Sequence, residues 1–218
     1  MCWGATPRVC WGWVVASGHI RAFVALPVPG EVQRYLHALQ RRMANAAPQA
    51  VRWVDSGSMH LTLKFLGDIP EAQVPDIAAV IQQAAANAAP LRLPLVTVGC
   101  FPTPLNPRVI WAGLGGDVVR LHELQRTVDD GLTALGFAAE TQEFAPHITL
   151  GRVRDNTPPD DLGALARMLA QPPSFSGAPS ATIDRIVLVK STLTPAGSVY
   201  EHLAEALLAG TAAPPEMA

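Results

Sequence analysis

The segment His60-Leu61-Thr62-Leu63-Lys64-Phe65-Leu66 is written a second time, as His147-Ile148-Thr149-Leu150-Gly151-Arg152-Val153. Both copies read histidine, aliphatic, threonine, leucine, and both reach a basic residue within two further positions. This repeat constrains the fold more than any bulk property, because successive side chains of a strand point to opposite faces. His60 and Thr62 then share a face, about 6–7 Å apart along the strand, while Leu61 and Leu63 face a core. His147 and Thr149 stand in the same relation to Ile148 and Leu150. Two such fronts facing each other surround one cleft with two proton-transfer groups and two hydroxyl donors, a set suited to a phosphate ester. A single His-x-Thr is ordinarily just the polar side of a strand. Its duplication, aliphatic partners included, is what argues for function.

Length and composition set the frame. A chain of 218 residues suits one large domain or two small lobes, and 49% hydrophobic against 16% charged residues makes it globular. Its 16 basic and 18 acidic residues give a net charge of −2. A protein that coats nucleic acid would be basic overall, so any RNA contact is expected to be local, at an end or a phosphate. Three cysteines, Cys2, Cys10 and Cys100, are odd in number and lack metal-ligand spacing. They fit a reducing cytoplasm, with Cys100 a small buried residue. Residues 1–20 hold an apolar run, Val9 to Gly18, too short to span a bilayer and followed by no clean cleavage site. They are read as a poorly ordered extension.

Periodicity supplies the elements. Strands are expected at Arg21–Leu26, Val51–Val54, Leu91–Val98, Arg108–Leu114 and Thr182–Ser191, besides the two motifs. Helices are expected at Glu31–Asn45, Glu71–Ala89, Asp117–Leu135 and from Pro158 to Leu169. The first has Val32, Leu36, Leu39 and Met43 on one stripe. Gly99–Pro107 reads as a proline-studded loop, Ser198–Leu207 as a strand partner or a short helix, and residues 209–218 as a loose tail. Strand, helix and strand occur twice, each time with one His-x-Thr, without the regular alternation of a doubly wound sheet. The class is therefore α+β.

The segments Arg21-Ala-Phe-Val-Ala-Leu-Pro27, Arg52-Trp53-Val54, His60 to Asp68 and Pro146-His-Ile-Thr-Leu-Gly-Arg152 resemble the 2'-5' RNA ligase family, also known as RNA 2',3'-cyclic phosphodiesterases, within the two-histidine phosphoesterase superfamily. The resemblance runs from about Arg21 to about Leu208. It implies two similar lobes, occupying residues 21–208, whose antiparallel sheets line a central cleft with helices outside. It implies a hydrolase for RNA 2',3'-cyclic phosphate ends, tRNA fragments among them, with 2'-5' ligation as the reverse direction. His60 resembles the family's proton donor and His147 its proton acceptor. Physics alone leaves those two roles open, since the motifs are near copies and their titrations are coupled.

The chemistry fits the residue types. Opening a cyclic phosphate needs a base on the attacking water and an acid on the departing ribose oxygen, and imidazole serves as either near neutral pH. Thr62 and Thr149 can donate to the non-bridging phosphate oxygens. No carboxylate–histidine cluster suggests a metal, and no cofactor is expected. Lys64 shares the parity of His60 and so belongs in the cleft. Arg152 falls on the opposite face unless a bulge at Gly151 turns it. Phe65 and Phe144 flank the motifs and are read as core, with stacking on a terminal base as the alternative. Arg52 and Trp53 are placed at the cleft rim. A small cyclic nucleotide or ADP-ribose cyclic phosphate is the alternative substrate, and a non-catalytic module holding RNA ends is the alternative function. The protein is expected to be a cytoplasmic monomer with no membrane segment.

Overall fold

A computed structural model describes residues 18–195 and 197–211. The extension expected at residues 1–20 lies outside the described residues apart from its last three, and residues 212–218 of the tail lie outside as well. The elements run β1 (His19–Pro27), α1 (Gly30–Ala46), β2 (Val51–Trp53), β3 (His60–Pro70), α2 (Val74–Ala86), β4 (Leu91–Thr103), β5 (Asn106–Leu114), α3 (Val118–Ala134), β6 (His147–Val153), α4 (Pro159–Ala170), β7 (Ser180–Ile183), β8 (Arg185–Thr194) and β9 (Gly197–Leu207). The class is α+β, and all strand pairings are antiparallel.

The strands follow the order β7-β4-β5-β6-β3-β1-β8-β9, with β2 also pairing β6. Most neighbours share long ladders, but β3 and β6 meet through one registered pair, Leu61 opposite Ile148. The sheet is thus two lobes joined at a thin seam, and each lobe contributes one His-x-Thr strand to it. The lobes are not contiguous in sequence. The hairpin β8–β9 completes the β1–β3 lobe, and β2 crosses to the β6 lobe.

Helices cover the back. α1 presents Val32, Leu36, Leu39, Gln40 and Met43, and α3 presents Leu121, Leu124, Gln125, Val128 and Leu132. Each such buried aliphatic side chain contributes about 1.5–3 kcal/mol relative to exposure. Prolines at the first turns of α2 and α4 cost nothing there, because those N–H groups have no helical partner, and Asp76, Asp160 and Asp161 sit at the positive ends. A second small core, Phe23, Ala25, Val187 and Val189 with Tyr200 against it, lies on the opposite face of the first lobe. Among the described residues no helix is long and apolar enough to cross a membrane.

Three sequence expectations need correction. Gly99–Pro107 is mostly the tip of the β4–β5 hairpin, with Pro102 opposite Pro107. The register shifts between Phe101 and Pro102, where a residue lacking an N–H costs the ladder little. Thr182–Ser191 is two strands broken at Asp184, since β7 pairs β4 while β8 pairs β1. The tail is fixed over its first two residues: Ala209 and Gly210 donate to the carbonyls of Ala85 and Ala88 at 3.1 and 3.0 Å.

Candidate active site

Each histidine opens its strand, and each strand is irregular three residues later. On β3, Val24 pairs Lys64 and Ala25 pairs Thr62, leaving Leu63 as an extra residue. On β6, Ile110 pairs Gly151 and Trp111 pairs Thr149, leaving Leu150 extra. A bulge of this kind resets the alternation. Lys64 and Gly151 therefore turn inward, and Phe65 and Arg152 turn outward. The duplication extends to the backbone irregularity.

The seam fixes how the copies face each other. Continuing the Leu61–Ile148 register by one residue either way sets His60 opposite Thr149 and Thr62 opposite His147. Each imidazole then has the other copy's hydroxyl as its cross-strand neighbour, with Cβ atoms about 4.5–5.5 Å apart. The two histidines lie on a diagonal of about 7–8 Å. The arrangement has an approximate two-fold axis through the seam.

Both rings are held in the same way. His60 Nδ1 contacts the Ser58 carbonyl at 2.8 Å, and His147 Nδ1 contacts the Ala145 carbonyl at 2.7 Å. A carbonyl only accepts, so Nδ1 carries a proton in each ring and Nε2 is left for chemistry. Their surroundings differ. His60 stacks on Phe23 at 4.6 Å between centroids and meets the edge of Tyr200 at 5.3 Å. His147 meets Phe101 edge-on at 5.3 Å, with Trp111 at 6.4 Å. Burial pushes the His60 pKa below 6.5, the Ser58 hydrogen bond pulls the other way, and the charge on His147 lowers it further.

A cleft of about 790 Å³ opens at the seam, with His60, Thr62, Thr149, Phe65 and Arg152 among its lining residues and none from an α-helix. His147 is not among its lining residues, and the seam register places it opposite Thr62, which is. Lys64, expected in the cleft by parity, is 6% exposed and points away. It donates to Asp129 of α3 and, at 2.6 Å, to the Ala138 carbonyl. The bulge at Leu63 is the reason. Phe65, expected in the core, is 68% exposed at the cleft with its ring 6.0 Å from Phe23. Phe144, a candidate substrate contact, packs on the core and meets His122 edge-on at 5.3 Å. Arg152 does reach the cleft, through a bulge at Leu150, one residue before the expected position. Arg52 and Trp53 line it too.

Sequence reasoning missed Gln40. Its side-chain amide donates to the carbonyls of Val54 and Leu150, both at 2.8 Å, so it holds the bulge under Thr149 from behind. The available signal was a polar residue on the apolar stripe of α1, between Leu39 and Met43. Gly151 has a packing reason: a Cβ there would stand 2.5 Å from Val51 Cγ1. Arg154 and Tyr200, also in the cleft, carried no motif, and Arg21 was read only as the start of the first strand.

Known proteins share this arrangement. A family model described as LigT like phosphoesterase matches residues 26–111 and again 117–200, once for each histidine strand. RNA 2',3'-cyclic phosphodiesterases of Thermotoga maritima and Thermus thermophilus are 31% and 32% identical to this chain, each over 88% of it and over 97% and 91% of their own length. Among solved structures, TT0787 of Thermus thermophilus aligns with a TM-score of 0.71 at 29% identity, covering 88% of this chain and 99% of that one. Escherichia coli LigT complexed with 3'-AMP aligns at 0.68 and 22% identity over the same share of this chain and 99% of its own, a likeness of fold. The two-fold match, the paired His-x-Thr strands and the bilobal sheet together show that this chain belongs to the LigT-like phosphoesterase family.

Proposed function

We propose that the protein hydrolyses RNA 2',3'-cyclic phosphate ends to a 2'-phosphate by paired histidine acid–base catalysis. The crossed seam carries the reading, because its register puts the two histidines on a diagonal with a threonine cross-strand from each, and both rings leave Nε2 free of the backbone carbonyl that holds Nδ1. A phosphorus atom between them has one imidazole on the side of the attacking water and one on the side of the leaving oxygen. In the assignment the resemblance supplies, His147 Nε2 takes the proton as the water oxygen bonds to phosphorus. His60 Nε2–H gives its proton to O3' as the P–O3' bond breaks. Thr62 and Thr149 donate to the non-bridging oxygens, where charge builds up. The lowered pKa of His60 favours its neutral form in the empty cleft, and an anionic phosphate pulls that pKa back up, so the acid is charged as substrate arrives.

In this proposal the two imidazoles carry both proton transfers without a metal, and one observation supports an RNA end as the substrate. Relatives of similar length over most of the chain are named for RNA 2',3'-cyclic phosphodiesterase activity. The same geometry, with an RNA 5'-hydroxyl attacking phosphorus in place of water as the P–O3' bond breaks, forms a 2'-5' bond. The deciding experiment is an assay on an oligonucleotide ending in a 2',3'-cyclic phosphate, with the product phosphate located and EDTA present. A 2'-phosphate formed at an undiminished rate supports the proposal. A 3'-phosphate, or reversible loss with EDTA, overturns it.

A further inference from the structure

The two carbonyls that hold the imidazoles are themselves held very differently. Ser58, which holds His60, closes a short turn at Ser56–Ser58. Asp55 fixes that turn, accepting from the Gly57 N–H through its side chain at 2.9 Å and from the Ser58 N–H through its carbonyl at 3.0 Å. Ala145, which holds His147, lies in the connection 135–146 between α3 and β6, where residues 138–143 are all exposed. Phe137 and Phe144 pack on the core near its two ends. Between those rings, among the described residues, its hydrogen bonds to other parts of the chain go to one pair of side chains. The Ala138 carbonyl accepts from Lys64 Nζ at 2.6 Å, and the Glu140 N–H donates to Asp129 at 3.3 Å. Lys64 also donates to Asp129, and the two side chains are 5% and 15% exposed. A buried ion pair is often no more stabilising than an apolar pair of similar volume. Fold stability therefore gives little reason for a lysine at this strand position, whereas the connection it fastens does.

We propose that Lys64 is a positioning residue for His147. The bulge at Leu63 turns its side chain away from the cleft and through to α3. There Lys64 and Asp129 fasten residues 138–140, and so fix the course of the segment that brings the Ala145 carbonyl to the His147 ring. The fifth residue of the first motif thus orients the first residue of the second. With the segment released, the Nδ1 proton loses its acceptor, and the ring no longer presents an unprotonated Nε2 at a fixed place. A reacting group displaced by about 1 Å costs up to about 10²-fold in rate. His60 should not feel the change, because Asp55 closes its turn locally. The consequence for rate rests on the hydrolase reading above, whereas the consequence for the ring does not.

The test is nitrogen-15 NMR of the imidazole rings, with kinetics, on the wild type, Lys64→Met and Lys64→Met with Asp129→Asn. At a pH where both rings are neutral, the wild type should carry the proton on Nδ1 in both. In Lys64→Met the His147 ring should become a mixture of the two tautomers while the His60 ring is unchanged. On an oligonucleotide ending in a 2',3'-cyclic phosphate, kcat should fall by about ten- to a hundredfold, with KM within about twofold. The double variant no longer strands a carboxylate, so it regains stability, but its link to the Ala138 carbonyl is still missing. Its kcat should stay low and its His147 tautomers mixed. Should neither Lys64 variant fold, Glu140→Pro removes one exposed N–H and leaves the ion pair, and it should shift the His147 tautomers in the same direction. A His147 ring that keeps its proton on Nδ1 in every folded variant overturns the inference. So does a kcat that returns with stability in the double variant, since that is what a merely structural pair would do. If the wild type turns over no cyclic phosphate, the hydrolase reading fails, and the comparison of the two rings still decides this one.

Discussion

The two copies of the motif agree through their fourth residue and then part. At the fifth position the first copy has Lys64 and the second Gly151, both turned inward by the bulge. Lys64 sends its ammonium through to Asp129, which also receives the Glu140 amide at 3.3 Å in the segment leading to His147. Gly151 leaves the space that Val51 and Trp53 of β2 occupy. At the sixth position Phe65 and Arg152 both face the cleft, one flat and apolar, the other charged. The first halves are alike, as the proposed in-line transfer would require of two groups that flank one phosphorus atom. The later halves differ, one wall being apolar and the other charged.

The largest effect should come from the shared part. His60→Ala and His147→Ala should each lower kcat by about 10²–10⁴-fold, with circular dichroism unchanged. The double variant should fall little further, because groups that act as a unit are strongly non-additive. If either single variant kept a rate near the wild type, the symmetric pair would be broken as an explanation.

Next comes the fifth position. The Lys64 and Asp129 side chains are 5% and 15% exposed. Lys64→Met strands a carboxylate and should cost about 3–5 kcal/mol in urea unfolding. Lys64→Met with Asp129→Asn should recover part of that loss. Equal instability of the single and the double variant would mean that the strut is only packing.

How much of this was written in the sequence follows from where the bulges sit. Alternation places His60, Thr62, His147 and Thr149 correctly on one face, because nothing between them breaks the period of two. It misplaces Lys64 and Phe65 together, because Leu63 adds one residue and everything after it changes face. What draws the chain into the bulge is distant: Asp129 is 65 residues from Lys64, and Gln40 is 110 from the Leu150 carbonyl it holds. No local propensity records such a partner. Gly151 could be suspected as a bulge site only because glycine relaxes backbone limits, and there it is β2 overhead that requires it. Arg52 was legible as a rim residue, but its opposition to Arg152 depends on β2 crossing to the other lobe.

The sixth position gives a smaller effect. Phe65 is largely exposed, so Phe65→Ala should leave stability within about 0.5 kcal/mol. If it stacks on a terminal base, KM for an RNA end should rise by about tenfold, in line with roughly 1–3 kcal/mol per stacked base. The loss should be greater for purine than for pyrimidine ends. An unchanged KM for every base would leave Phe65 as bystander surface and make the base wall of the cleft some other side chain.

The smallest signal separates the two imidazoles themselves. His60 binds its proton less readily in the folded protein than in the unfolded chain, mainly because Phe23 and Tyr200 keep water from it. Its stabilising contribution is therefore complete above pH 6.5, the unfolded value, and is lost as pH falls through the lower folded value. His60→Gln should flatten the acid side of the stability profile, and NMR should show the His60 ring titrating below 6.5 in the empty cleft. Adding 2'-AMP should move that titration upward, since a bound anion favours the imidazolium. A His60 that titrates above 6.5 before any ligand is added would mean that its stacked, half-buried setting does not govern its charge, and the asymmetry between the two lobes would then be confined to the walls.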